Sequence, residues 1–308
     1  MIRVLALCGG IGGAKLALGL QAVLPPGELA ILCNTGDDFE HLGLSISPDI
    51  DTLTYTLAGL ADPERGWGRA NETWHFMAET RRLGGPDWFA LGDRDLALHV
   101  ERTRRLQAGE TLSAITISIA QRLGINTTIL PMTDDRLRTR VITAGGELEF
   151  QEYFVRQRCA PSVCGFRFAG ADDAQPASSA LQLLRSDQLR AVIVCPSNPW
   201  LSIDPMLAMP ALHAALAACK APVVAVSPII GGAAVKGPTG KIAQELGLRC
   251  NGLTVAQHYA PLLRAFVLDE TEAALAPQIG VRTLCCNTLM RTLADKQQLA
   301  ARVLEFAG

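Results

Sequence analysis

Short, unbroken apolar runs alternate along this chain with longer segments in which apolar residues recur every three or four positions. Apolar runs without polar alternation predict strands buried on both faces of a parallel sheet, and the periodic segments predict the helices that cover it. The strands fall at 3–8, 29–33, 127–130, 191–195 and 221–226, and the helices of the first half at about 14–24, 53–60, 72–83, 96–106 and 111–123. This alternation predicts an α/β, Rossmann-like, mostly parallel sheet with helices on both faces. Between 61 and 124 the helical segments are separated only by turn-rich 62–69 and the short apolar piece 88–91, which predicts an inserted, mainly helical lobe; 1–60 and 125–308 form the core. Small and polar residues at 170–179 read as a loop or linker.

Candidate chemistry collects where the strands end, at the sheet edge where open α/β folds bind ligands. The first strand runs into Gly9, Gly10, Gly12 and Gly13, with Lys15 opening the helical pattern behind them. Such a turn lets backbone approach an anion closely and aims free N–H groups at it. It is not a dinucleotide fingerprint, whose third glycine would fall on Lys15, nor a Walker A loop; a plain tight turn is the alternative. The second strand ends in Asn34-Thr-Gly-Asp37-Asp38, and Ser47-Pro-Asp49-Ile-Asp51-Thr52 precedes the next helix. Asp49 or Asp51 also suits a helix N-cap, which leaves the remaining aspartates unexplained; oxygen ligands in neighbouring loops suit Mg²⁺ shared with substrate phosphates. Two later strands stop at Pro196-Ser197-Asn198-Pro199 and at Ser227-Pro-Ile-Ile-Gly231-Gly232, with Lys236 close behind. Each is ordinary turn chemistry by itself, but four junctions converging on one sheet edge point to a shared nucleotide site. Arg94, between Asp93 and Asp95, reads either as part of a surface ion-pair cluster or as a substrate-binding guanidinium.

Composition narrows the class. A chain of 308 residues, 49% hydrophobic, implies one large domain with an insertion or two joined lobes. With 28 basic against 30 acidic side chains it lacks a general nucleic-acid surface, and no apolar run reaches membrane-spanning length. The start passes directly into a strand without a signal-peptide pattern, so a cytoplasmic location is expected. Of the nine cysteines, Cys8, Cys33 and Cys195 lie in apolar strands as buried thiols, and Cys285-Cys286 has no spaced partner pair for zinc. An enzyme of this size and class is expected to be a homodimer.

Together, Gly9-Gly10-Ile-Gly12-Gly13-Ala-Lys15-Leu, Asn34-Thr-Gly-Asp-Asp38, Ser47-Pro-Asp-Ile-Asp-Thr52, Gly66-Trp-Gly68, Gly92-Asp-Arg-Asp95, Pro196-Ser-Asn-Pro199 and Ser227-Pro-Ile-Ile-Gly-Gly232 resemble the 2-phospho-L-lactate transferase family of coenzyme F-420 biosynthesis nearly end to end. The resemblance implies transfer of a phosphorylated three-carbon acid (phospholactate, phosphoenolpyruvate or 3-phosphoglycerate) from its guanosine diphosphate ester to the ribityl hydroxyl of the deazaflavin Fo, with Mg²⁺ as cofactor and GMP released. It further implies Fo contacts at Asp51 and Arg94, with Asp51 catalytic, and Mg²⁺ at Asp38, Asp49 and Asp51. The guanosine diphosphate portion would lie on Gly10, Gly12, Gly13, Lys15, Asn34, Ser197, Asn198, Ser227, Gly231 and Gly232, and a side chain at Gly12 would block it. Trp67 and Trp88 are candidates to stack on the deazaflavin or to fill core. A regulatory nucleotide-sugar-binding protein with the same glycine turn is the alternative, and it would not need Asp51 and Arg94 in these settings. A nicotinamide dehydrogenase is disfavoured by the missing third glycine and by Asn34 where an acid should bind ribose.

Overall fold

The computed structural model describes residues 1–308. β1 (Val4–Cys8), α1 (Gly10–Val23) and β2 (Leu29–Cys33) form the first βαβ unit, and a hairpin of β3 (Phe39–His41) and β4 (Leu44–Ile46) leads into α2 (Pro48–Leu57). The lobe supplies α3 (His75–Arg82), α4 (Asp93–Gln107) and α5 (Leu112–Arg122) before β5 (Thr128–Pro131). Next come β6 (Arg138–Thr143), β7 (Gly146–Glu149), a π-helical turn Glu152–Arg156, and β8 (Val163–Ala169). α6 (Ser178–Leu184), β9 (Ala191–Val194), a second π-helical turn Pro199–Ile203, α7 (Asp204–Leu207), α8 (Pro210–Ala217) and β10 (Val223–Val226) continue the core. The chain closes with β11 (Ile229–Ile230), β12 (Ala233–Ala234), α9 (Thr239–Glu245), α10 (Gly252–Tyr259), β13 (Ala265–Asp269), a 3₁₀ helix Glu270–Gln278, β14 (Arg282–Cys286) and α11 (Leu293–Ala307).

The main sheet has the order β14-β13-β10-β9-β1-β2-β5, and every pairing in it is parallel. Strand alternation splits its side chains between two cores. Leu5, Leu7, Leu32, Val192 and Val194 face one, under α6, α8 and α10. Val4, Ala6, Cys8, Ile31, Ile193 and Cys195 face the other, under α1, α2 and α11. The chain moves from β1 to β2 on one side and later returns to β9 on the other, so the strand order reverses at β1. A crevice at the carboxyl ends of β1 and β9 is therefore the expected ligand position.

Three local differences from the sequence reading matter. α1 begins at Gly10, so the glycines form the first helical turn itself. α2 begins at Pro48, not near 53; proline fits the first helical position because it lacks the N–H that would go unpaired there, and Asp49 and Asp51 thereby enter the first turn. The antiparallel sheet β7-β6-β8 was not legible, because Arg138-Thr-Arg-Val-Ile-Thr143 mixes charged and apolar residues as a half-exposed strand does. In addition, 170–179 is no free linker, since Ala171, Ala174 and Ala177 are buried in the core. α5, expected within the lobe, also contributes Ala120 to the sheet core. No helix is long and apolar enough to cross a membrane.

Candidate active site

A cavity of about 810 Å³ opens at the carboxyl ends of the central strands and is lined from both the core and the lobe. On the core side the N-terminus of α1 is occupied by the chain's own carboxylate. Gly10 (φ +64°) donates its N–H to Asp49 Oδ1 at 2.8 Å, and Asn34 Nδ2 donates to Asp49 Oδ2 at 3.0 Å. Asn34 is held in turn by the Gly36 N–H at 2.9 Å and is fully buried. The Gly9 N–H reaches Ser197 Oγ at 3.2 Å, tying the glycine turn to the loop after β9. Asn198 Oδ1 caps the second π-helical turn at the Trp200 and Leu201 N–H groups. Lys15 Nζ donates to the Met290 carbonyl at 3.1 Å, and burial together with the nearby charge of Lys236 holds its ammonium below the usual lysine range.

The acidic groups separate into two sets for a geometric reason. Residues two apart on a helix point about 200° from one another. Asp49 therefore faces α1 and Asn34, while Asp51 turns toward α4, where Arg102 engages both its oxygens. Asp51 and Arg102 are 5% and 2% exposed, so this is a buried ion pair. Arg102 also donates to the Ser45 carbonyl, and its Nη1 lies 3.3 Å from His99 Nδ1. His99 Nε2 sits 3.3 Å from Asp95 Oδ1, which accepts the Tyr55 hydroxyl. Burial raises Asp95, but the His99 and Tyr55 contacts outweigh it and hold the carboxyl below its usual range.

Asp38, Asp49 and Asp51 were expected to share one ion; they do not meet at one point, and no three His, Cys, Asp or Glu side chains are arranged to hold a metal. Asp38 is turned away, accepts the Ser47 hydroxyl at 2.8 Å, and lines a separate 200 Å³ pocket with Arg138. Burial pushes its carboxyl up to about 7 against the pull of Arg138. Mg²⁺, however, is commonly held by only one or two carboxylates together with substrate phosphates. Asp37 and Asp49 fit that demand. Both line the cavity, burial raises both carboxyls, and the charge of Asp49 raises Asp37 further. Asp37 Oδ1 is moreover buried without a hydrogen-bond partner, as is Oδ1 of Asp38, but only Asp37 lines the main cavity.

Of the remaining sequence candidates, Gly10, Gly12, Lys15, Ser197, Asn198 and Ser227 line the cavity. Gly13 and Asn34 support it from behind. Gly231 and Gly232 form the β11–β12 turn, where the Gly232 N–H donates to Glu272; Ile230, Ala234 and Lys236 line the cavity from that loop instead. Arg94 is exposed on the first turn of α4 and outside the lining, while Asp95 beside it faces in. The loop is shaped by capping: Glu72 accepts the Arg94 and Asp95 N–H groups, and Asp93 accepts those of His75 and Phe76. A Cβ at Gly12 would lie 2.4 Å from the Pro196 carbonyl oxygen, so this glycine is required by loop packing before any ligand arrives.

Aromatic side chains form the lobe wall. Trp88 and Phe89 line the cavity and pack with Phe39 and His41, the Phe39–Phe89 centroids lying 4.8 Å apart. Trp67, 46% exposed, also lines it and stands beside Trp74 with the Arg65 guanidinium against both rings. Phe150 and Phe154 stack at 5.3 Å on another side. Sequence reasoning missed Tyr55, His99, Arg102 and the 150–158 segment. A signal existed for the first three: Tyr55 follows Asp51 by four positions, and Asp95, His99 and Arg102 repeat at helical spacing, a polar stripe too regular for a solvated face.

The chain matches the family model described as 2-phospho-L-lactate transferase CofD over residues 4–280. Similar curated proteins are the phosphoenolpyruvate transferases of Kitasatospora aureofaciens, 39% identical over 97% of this chain and 95% of that protein, and of Thermobifida fusca, 41% identical over 88% of each. Among solved structures, a member of the UPF0052 family from Bacillus halodurans superposes with a TM-score of 0.62 at 12% identity, covering 98% of both chains; this is a likeness of fold.

Proposed function

The chain is a transferase of the 2-phospho-L-lactate transferase CofD family, and from that premise we propose that it moves a phosphorylated three-carbon acid from a guanosine diphosphate ester to the ribityl hydroxyl of Fo, releasing GMP. The phosphoenolpyruvyl group, for which its relatives are named, is the first acid to test. The observation that carries the reading is a single cleft with two chemically different walls. One offers glycine-turn backbone, Lys15, Lys236 and the Asp37 and Asp49 carboxylates; the other offers Trp67, Trp88, Phe89 and the Asp51-centred network. The first suits a nucleoside diphosphate and the second a planar, oxygen-bearing ring.

In this reading Asp37 and Asp49 would hold Mg²⁺, which when bound supplies charge neutralisation to the diphosphate. Asp51, fixed by Arg102, orients the acceptor hydroxyl and takes its proton. The hydroxyl oxygen forms a bond to the phosphorus bearing the acid, the bond from that phosphorus to the GMP oxygen breaks, and its electron pair leaves with GMP. Most of the rate enhancement then comes from alignment and charge stabilisation. Arg94, exposed beside the cavity-lining Asp95, is assigned to Fo on the resemblance alone. The test is incubation of purified protein with Fo, Mg²⁺ and each guanylated acid, followed by mass analysis. The expected result is a phosphoester of Fo and one equivalent of GMP, lost on chelation with EDTA and on Asp49→Asn. Nucleotide binding without any product would identify a regulatory binding protein instead.

A further inference from the structure

The π-helical turn after β7 ends in two consecutive residues with left-handed backbone, Arg158 (φ +49°) and Cys159 (φ +56°). Neither is glycine, so the strain is sustained by surrounding structure, and such positions concentrate at ligand sites. The turn is well tied down: the Cys159 N–H donates to the Tyr153 carbonyl at 2.9 Å, and Gln151 Nε2 donates to the Asp37 carbonyl at 3.2 Å. The second bond joins it to the loop that carries Asp37. Arg158 lines the cavity.

Its charge is unspent. The other arginine of the lining, Arg65, is paired with Asp62 at 2.8 Å, and Arg156, two residues before Arg158 and outside the lining, is paired with Glu152. Arg158 takes part in no ion pair. Lys15, with the charge of Lys236 near it, lies on the glycine-turn side, where a diphosphate belongs. Arg158, on the turn bonded through Gln151 to the Asp37 loop, is thus left for whatever extends beyond the second phosphate. A planar guanidinium matches a carboxylate fork, and a three-carbon acid esterified through its hydroxyl keeps its carboxylate free.

Resting on the donor reading above, we propose that Arg158 is the binding residue for the carboxylate of the transferred acid, held there by a strained turn. The test measures binding of three compounds by calorimetry: GDP, the GDP ester of lactate, which is the donor of a phospholactyl group, and the GDP ester of ethanol, which lacks the carboxylate. The wild type should prefer the carboxylated ester over the ethyl ester by about tenfold or more. Arg158→Asn, which tolerates left-handed backbone, should abolish that preference and leave GDP affinity unchanged. Arg158→Gly should also lose the preference while raising the melting temperature by about 1–3 °C, because it relieves the strain; a residue kept only for structure would not behave so. Preference retained in Arg158→Asn, or equal weakening of all three compounds, overturns the carboxylate assignment alone. A wild type that binds none of the three overturns the donor reading and this inference with it.

Discussion

Arg102→Ala tests whether the Asp51–Arg102 pair anchors the acceptor side of the cleft. The substitution removes two hydrogen bonds to Asp51 and one to the Ser45 carbonyl, and it leaves a carboxylate 5% exposed without its counter-charge. Stranding one member of a buried pair costs about 3–5 kcal/mol, mostly because the remaining charge stays desolvated. An unfolding entropy of about 2.1 cal/mol/K per residue gives roughly 0.65 kcal/mol/K for 308 residues, so the melting temperature should fall by about 5–8 °C. Scanning calorimetry reads the shift, and urea unfolding gives the free energy. The double variant Asp51→Ala/Arg102→Ala should lose less than the two single variants together, with a coupling of about 2 kcal/mol, since neither charge is then stranded. A shift below about 2 °C, or simple additivity, would mean that water reaches the pair and that Asp51 is not fixed by Arg102.

Gly12→Val should lower stability by about 2 kcal/mol or more and weaken GDP binding together with it, because its side chain meets the Pro196 carbonyl; full stability with selective loss of GDP would restore a purely ligand-facing role. Asp269 accepts from Thr271 and Thr288, and although burial raises its carboxyl, those bonds outweigh burial and leave it below the usual range. A depressed folded-state value contributes stability above the unfolded value and loses it as pH falls through the folded one, so Asp269→Asn should cost about 1–3 kcal/mol at pH 7 and progressively less below about pH 4; a pH-independent deficit in urea titrations would contradict this. Arg94→Ala should raise the dissociation constant for Fo about tenfold, read from deazaflavin fluorescence, with GDP affinity unmoved; unaltered Fo affinity removes Arg94 from the site.

The periodicity of the chain determined five of the seven strands of the parallel sheet, though not β13 and β14 at one edge, together with the helices on both faces and the loops that meet at its carboxyl edge. These follow from local properties: buried strands read as apolar runs, helices as 3.6-residue repeats, and a strand-to-helix turn demands glycine. Asp49 and Asp51 show where that locality ends. In the sequence they are two carboxylates in one motif, fit for one metal; on the first turn of α2 they diverge, Asp49 to Gly10 thirty-nine positions back and Asp51 to Arg102 fifty-one positions on. The same holds for Asp38, taken by Ser47 and the Arg138 pocket, and for Arg94, left outside while Asp95 faces in. Which charge neutralises which is settled by packing across long loops, where burial makes an unpaired ion too costly to leave, and no pattern of neighbours along the chain carries that information.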